Sequence, residues 1–180
     1  MNLSSRQVAQ GDFAARLTRI LADTGLPPAA LVLEITERLL MHDDPATLAT
    51  LREVARLGVR LALDDFGTGY CSLAYLTRFP LHILKVDRSF IGGAPDNPEL
   101  ATIARAIIGL GRSLGLEVIA EGVERPAHLA LLRAEGCPLA QGFGLGRPLP
   151  ADQLAALLAG VPTYAAALRS TTAAVQPKNQ

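Results

Sequence analysis

Short apolar runs alternate with longer segments of helical periodicity along most of this chain. A short, mostly apolar run bounded by turn residues predicts a buried strand. The predicted strands are 31–36, 60–64, 82–87, 116–121 and 139–143, and the opening residues 1–4 read as a further one. Regular alternation of such strands with helices predicts a parallel sheet covered by helices, which is an α/β fold.

The helical segments carry recognisable start and stop signals. Apolar side chains recur at Phe13, Leu17 and Leu21, and Gly25 follows as a C-terminal cap. Asp44 and Pro45 are typical of a helix N-cap and first turn. The predicted helices are 8–24, 45–57, 70–78, 98–114, 126–136 and 151–159.

The composition places the chain among globular proteins with a balanced charge. Of its 180 residues 49% are hydrophobic and 19% charged, and seventeen basic side chains match seventeen acidic ones. This balance argues against a nucleic-acid partner or a membrane surface attracted by bulk charge. No apolar run reaches the roughly 18 residues of a membrane span.

Cysteine usage favours a reducing compartment. Cys71 and Cys137 form no disulfide framework, and no Cys/His spacing suggests zinc. The N-terminus also lacks the charged-then-apolar pattern of a signal peptide. We therefore expect a cytoplasmic protein.

A pair of adjacent carboxylates marks the most informative stretch. Asp64 and Asp65 end the predicted strand 60–64, and a loop with two glycines follows. Charges buried at a strand end must be paired or bound to a metal ion. The alternative is a solvated turn, because Asp and Gly are ordinary turn residues.

Polar side chains recur at the ends of all the predicted strands, which favours the metal site. They are Asn2, Glu34 and Glu37, Asp64 and Asp65, Lys85 and Asp87, Glu121 and Glu124, and Gln141. In a parallel barrel these strand ends meet at one face. Their oxygens suit Mg²⁺ or Mn²⁺, and a pair of such ions about 3.5–4 Å apart is the usual arrangement for phosphodiester cleavage.

Lys85 has three interpretations within such a site. It could hold or help to deprotonate the attacking water, stabilise phosphate charge, or only balance the acidic groups. The chain has no Gly-x-Gly-x-x-Gly after its first strand and no phosphate loop ending in Gly-Lys-Ser/Thr. These absences argue against a dinucleotide or nucleoside-triphosphate fold.

Six motifs in order resemble the EAL domain, a family of bacterial cyclic di-GMP phosphodiesterases. They are NLSSRQ (2–7), LEITE (33–37), LDDFGTGY (63–70), LKVDRSF (84–90), VIAEGVE (118–124), and QGF (141–143) with RPLP (147–150). The resemblance implies a modified (β/α)₈ TIM-type barrel, with about six of its eight strands in this chain. It also implies two Mg²⁺ or Mn²⁺ ions and hydrolysis of cyclic di-GMP to linear pGpG.

The resemblance also implies roles for individual residues. The metal ligands would be Asn2, Glu34, Asp64, Asp65 and Glu121. The catalytic residues would be Lys85, Glu121, Glu124 and Gln141. A mobile loop from 66 to 73 would couple substrate, metals and dimer, and its first residues are Phe66, Gly67, Thr68, Gly69 and Tyr70.

The sequence motif that gives the family its name is not found in this chain. A Glu-Ala-Leu triplet, whose glutamate would be a further metal ligand, occurs nowhere in the 180 residues. We therefore expect 1–160 to be an EAL-type domain without its first strands and this motif, followed by a weakly ordered tail, 161–180. A chain without that ligand is expected to be inactive or nearly so on its own.

Other readings of the chain stay open at this point. It could bind cyclic di-GMP or a protein partner without catalysis, it could be an inert fragment, or it could be a metal-dependent barrel of another specificity. The resemblance also raises a homodimer and an upstream sensory or diguanylate cyclase domain as expected partners.

Overall fold

Five parallel strands form the centre of the computed structural model, which describes residues 1–41, 44–69 and 73–160. The strands are β1 (Val32–Thr36), β2 (Arg60–Phe66), β3 (Ile83–Val86), β4 (Glu117–Ala120) and β5 (Leu139–Ala140). They lie side by side in chain order, β1-β2-β3-β4-β5, and every pair is parallel. The predicted α/β fold with a parallel sheet is confirmed, whereas the predicted tail 161–180 lies outside the described residues.

Helices connect the strands as the alternation predicts. They are α1 (Ser5–Val8), α2 (Phe13–Thr24), α3 (Glu37–Met41), α4 (Pro45–Arg56), α5 (Leu73–Arg78), α6 (Arg88–Gly92), α7 (Pro98–Ser113), α8 (Pro126–Ala134) and α9 (Ala151–Gly160). Within the described ranges, none of them has the length and apolarity that crossing a membrane requires.

The N-terminal residues differ from the prediction in two ways. The strand expected at 1–4 is reduced to a bridge between Asn2 and Glu34, because Ser4 already caps α1 through a capping box with Gln7. The helix expected at 8–24 is two helices, with Gly11 at a φ of 24° between them. A local cap therefore prevails over the apolar periodicity that suggested one continuous helix.

Strand β2 is longer than predicted, and this changes the place of the two aspartates. Asp64 and Asp65 lie inside the strand, and pairing with β3 resumes at Phe66 opposite Val86 after an irregularity. Asp65 has a φ of 53°, which makes it the one non-glycine residue with positive φ in the described part of the chain. An aspartate tolerates this conformation better than most residues, and such a bulge redirects the side chains around it.

The middle strand, β3, is buried on both faces, as strands of parallel sheets commonly are. All four residues of β3 are buried, and one of them is charged: Lys85 lies between Leu84 and Val86 with 5% exposure. A buried ammonium group requires partners of opposite charge. The location of these partners defines the site.

A capping residue fixes the start of the longest helix. The side chain of Asn97 accepts hydrogen bonds from the backbone N–H groups of Glu99 (2.9 Å) and Leu100 (3.3 Å) at the start of α7. We expect Asn97→Ala to lower the free energy of unfolding by about 1 kcal/mol, and Asn97→Asp to leave it nearly unchanged. Urea denaturation measures both, and equal losses would contradict a capping role.

Candidate metal and phosphodiester site

Lys85 lies at the centre of a carboxylate cluster at the C-terminal ends of the strands. Its Nζ atom is 2.6 Å from Asp64 Oδ1, 2.6 Å from Glu121 Oε1 and 3.2 Å from Glu34 Oε2. Burial by itself lowers the pKa of Lys85, but the hydrogen bonds that Lys85 donates to Asp64 and Glu121, and the charges of these carboxylates, outweigh it and raise the pKa. In this arrangement Lys85 is an ammonium group that donates to the carboxylates, and its predicted role toward water or phosphate stays a prediction.

The acidic groups exceed the single positive charge among them. Ligand oxygens of Asp64, Asp65 and Glu121 lie within 4.8 Å of one another, close enough for one cation to bind all three. Burial and then the charge of Asp64 raise the pKa of Asp65, and burial raises the pKa of Glu121 despite its bond to Lys85. Uncompensated negative charge on hard oxygen donors fits a divalent cation such as Mg²⁺ or Mn²⁺.

Asn2 and Glu34 face the same space. The N–H of Leu3 donates to Glu34 O (2.8 Å), and the N–H of Glu34 donates to Met1 O (2.8 Å), which fixes Asn2 beside Glu34 in the middle of β1. A cavity of about 560 Å³ is lined by Asn2, Glu34, Asp64 and Asp65. Four of the five predicted ligands therefore line one cavity, and the fifth, Glu121, lines a neighbouring one.

Gln141 and Glu124 differ in how closely they approach the cluster. Gln141 Nε2 donates to Glu121 Oε1 at 2.7 Å, so this side chain orients a cluster carboxylate. Glu124 is exposed and lines a neighbouring cavity of about 450 Å³ together with Glu121, Gln141 and Arg147. The roles predicted for both residues stay predictions, with Glu124 placed at the edge of the site.

The loop predicted from 66 to 73 is anchored at its start. Phe66 is not a loop residue: it ends β2 and is buried, 6% exposed, because the sheet register resumes there. Gly67, Thr68 and Gly69 follow in an exposed turn. Tyr70 lies outside the described residues.

Glu37, the first residue of α3, holds this turn. It is 5% exposed, and its Oε1 accepts a hydrogen bond from the N–H of Gly67 at 2.6 Å. Gly69 lies so close to the other carboxylate oxygen that a Cβ atom there would overlap it. The side chain therefore links the end of β1 to the segment that follows the two aspartates.

We expect Glu37→Leu to release the turn. A hydrogen bond to a charged acceptor contributes about 1.5–3 kcal/mol, so the Gly67 amide should exchange with solvent roughly ten to a hundred times faster. Glu37→Gln retains a carbonyl acceptor and should change the exchange rate less. Hydrogen exchange measured by NMR tests this, and an unchanged rate in Glu37→Leu would contradict the anchoring role.

Two arginine side chains of the site were assigned no role from the sequence, although Arg147 belongs to the RPLP motif. Arg38 lines the larger cavity beside Asn2 and Asp65, and Arg147 stacks on the exposed ring of Phe143, 4.7 Å from its centroid. No spacing rule predicts a binding or catalytic role for either residue, because single arginines in a sequence are mostly solvated surface residues. Only the packing of helix α3 and of the segment after β5 brings them to the cavities.

Parallel α/β architecture with a carboxylate cluster at the C-terminal strand ends defines a barrel-type protein with a candidate metal site. A family model described as EAL domain matches residues 1–148. The chain belongs to the EAL domain family. The resemblance inferred from the six motifs is confirmed.

Solved structures agree with this assignment and with the partial barrel. The phosphodiesterase MucR in complex with c-di-GMP, from Pseudomonas aeruginosa, is 44% identical with a TM-score of 0.80 over 85% of this chain and 62% of that one. The EAL domain of Mycobacterium smegmatis DcpA is 39% identical with a TM-score of 0.84, covering 89% and 73%.

Curated relatives are longer proteins. The cyclic di-GMP phosphodiesterase NbdA of Pseudomonas aeruginosa is 45% identical over 150 residues, which is 83% of this chain and 19% of NbdA. The chain thus spans about a fifth of the length of most of the curated relatives that it matches, NbdA and MucR among them.

Proposed function

We propose that this site hydrolyses cyclic di-GMP to linear pGpG with two divalent cations, Mg²⁺ or Mn²⁺. The observation that carries the proposal is the cluster of Asp64, Asp65 and Glu121 around Lys85. Relatives named as phosphodiesterases and a relative's structure with c-di-GMP bound support the substrate. When bound, the cations would polarise the phosphate and lower the pKa of water.

The chain's own residues would bind and orient the reactants. Glu34, Asp64, Asp65 and Glu121 supply oxygen donors, and Asn2 adds an amide oxygen at the rim of the larger cavity. Lys85 donates from its ammonium group and so stabilises negative charge on the phosphoryl oxygens. Water would add to phosphorus while the bond to the ribose 3′ oxygen breaks, leaving a 3′ hydroxyl and a 5′ phosphate.

The 180 residues by themselves are proposed to be inactive or nearly so. The glutamate of the Glu-Ala-Leu motif, expected as a further ligand, is not among them. Without it the donor set of one cation is incomplete. We retain 1–160 as the proposed extent of the domain. A cytoplasmic location, inferred from cysteine usage, also stays part of the proposal.

Incubation with cyclic di-GMP and Mn²⁺, followed by chromatography for pGpG, tests the proposal. We expect no more than trace product from the chain alone. Product should appear when the chain is fused to the segment of a relative's EAL domain that carries the Glu-Ala-Leu motif. No product from the fusion would refute hydrolysis, and full turnover by the chain alone would refute the need for the extra glutamate.

The second candidate function is binding without turnover. The cavity beside Glu124 supports it, because Arg147 and Phe143 offer a stacked cation and ring that would suit a purine base. Calorimetry with cyclic di-GMP in Ca²⁺ separates the two functions. Tight binding by a fusion that forms no pGpG in Mn²⁺ would favour the binding module.

A further inference from the structure

His128 is a buried imidazole outside the carboxylate cluster that the chemistry above does not use. It lies in the first turn of α8 and is 2% exposed. A buried polar ring needs hydrogen-bond partners on both nitrogen atoms. These partners show which parts of the chain it joins.

Its Nδ1 atom accepts hydrogen bonds from the backbone. The donors are the N–H groups of Glu124 (3.1 Å) and Arg125 (3.4 Å). An accepting Nδ1 carries no hydrogen, so the neutral ring is protonated at Nε2. Nε2 lies 3.1 Å from Gly92 O, to which this tautomer donates, and 3.2 Å from Arg125 Nε.

The ring thereby joins two segments that follow neighbouring strands. Gly92 ends α6, which follows β3 and its Lys85, whereas the 121–125 loop follows β4 and carries Glu121. Arg125 makes a second link, from Nη2 to Gly92 O (3.3 Å) and to Asp96 Oδ2 (2.7 Å). This outer link is largely exposed and is expected to contribute little, so the buried imidazole is the main connection.

The first part of the same loop is held from its other side. Gly122, at a φ of 71°, packs so closely on Arg88 that a Cβ atom would overlap it. Val123 is buried and its N–H donates to Gln141 O at 3.1 Å. At the end of the loop, the backbone N–H groups of Glu124 and Arg125 are the two that His128 binds.

We propose that His128 is a positioning residue that holds the 121–125 loop in the conformation required by the site. By binding the Glu124 and Arg125 amides, it keeps Glu121 in the carboxylate cluster and Glu124 at the edge of the adjoining cavity. The inference rests on the proposed function, since it concerns the same metal and substrate site. The atom of His128 that holds the loop is the hydrogen-bond acceptor Nδ1.

Two substitutions by amide side chains distinguish the contributions of the two ring nitrogen atoms of His128. The carboxamide of His128→Asn places an acceptor near the position of Nδ1, and that of His128→Gln reaches toward the position of Nε2. His128→Leu removes both. Three quantities are measured on each variant of the 180-residue chain: Mn²⁺ affinity by electron paramagnetic resonance, exchange of the Glu124 and Arg125 amides, and the melting temperature.

His82 provides a matched control at the opposite end of β3. Its Nδ1 also accepts a backbone N–H, that of Leu61 at 3.2 Å, but it precedes the strand and lies away from the cluster. His82→Leu therefore removes the same kind of bond. It should lower the melting temperature without changing Mn²⁺ affinity.

We expect His128→Asn to keep Mn²⁺ affinity within about threefold and both amides protected. His128→Gln and His128→Leu should weaken Mn²⁺ binding about tenfold or more and expose the two amides, as loss of a buried hydrogen bond predicts. Equal losses of Mn²⁺ affinity in His128→Asn and His128→Gln would overturn the inference. It would also be overturned if Mn²⁺ affinity fell together with the melting temperature in the His82 variant as well as in the His128 variants. If the unmodified chain binds no Mn²⁺, the proposed function fails, and amide exchange alone decides the role of His128.

Discussion

Replacing Lys85 by methionine should bring the metal-free protein close to unfolding. The lysine side chain is 6% exposed and its ammonium group is the shared partner of Glu34, Asp64 and Glu121. Removing one partner of a buried ion pair typically costs about 3–5 kcal/mol, because the remaining charges stay buried and uncompensated. Urea denaturation in the presence of EDTA measures the loss.

The same variant should regain stability when Mn²⁺ is added. A cation bound among the carboxylates replaces the missing positive charge, so Mn²⁺ should stabilise Lys85→Met more than the unmodified chain. Arg60→Met is the control, since Arg60 and Glu117 form a partly exposed pair at the other end of the sheet and should contribute less than about 1 kcal/mol. Equal losses in both variants would show that Lys85 is not the central counter-charge.

Substitution of Asp64 by asparagine should abolish metal binding while keeping the side-chain shape. Asp64 is common to the ion pair with Lys85 and to the group of carboxylates that one cation could bind. We expect Mn²⁺ affinity to fall at least about a hundredfold, beyond the 10–100-fold typical of residues that only orient ligands. Product formation by the fusion described above should fall to background.

Asp44→Asn is the matched control for this variant. Asp44 caps α4 through the N–H groups of Ala46 and Thr47, and asparagine caps a helix about as well. Metal affinity should therefore remain unchanged. Unaltered Mn²⁺ binding in Asp64→Asn would refute the assignment of the cluster as a metal site.

The sheet was predictable from sequence because each strand carries its own apolar run, whereas the details at its ends were not. The prediction that β2 stops at Asp64 was wrong, since a backbone bulge at Asp65 lets pairing resume at a residue that periodicity alone assigns to a loop. The strand expected at 1–4 was lost to the cap that Ser4 makes for α1. Such competition between local hydrogen bonds and apolar patterning is decided by geometry that spacing does not encode.

The candidate site also has a part that the sequence predicted and a part that it did not. Polar residues at the strand ends predicted that Glu34, Asp64, Lys85 and Glu121 would meet, because parallel strands place their C-terminal ends together. Glu37 and His128 instead contact backbone groups that are distant in sequence: Glu37 accepts a hydrogen bond from the N–H of Gly67, and His128 Nε2 lies 3.1 Å from the carbonyl oxygen of Gly92. A side chain that binds backbone leaves no pattern in the sequence of its partner, so only coordinates reveal it.

The chain-order arrangement of the five strands has a consequence for biosynthesis. Each strand pairs with the one made just before it, and paired residues lie between 20 and 34 positions apart, as from Ile119 to Leu139 and from Ile83 to Glu117. Closing loops of this length carries a modest entropic cost that rises slowly with length. The sheet can therefore grow by one strand at a time as the ribosome releases the chain, and Lys85 of β3 emerges after Glu34 and Asp64 are already available to neutralise it.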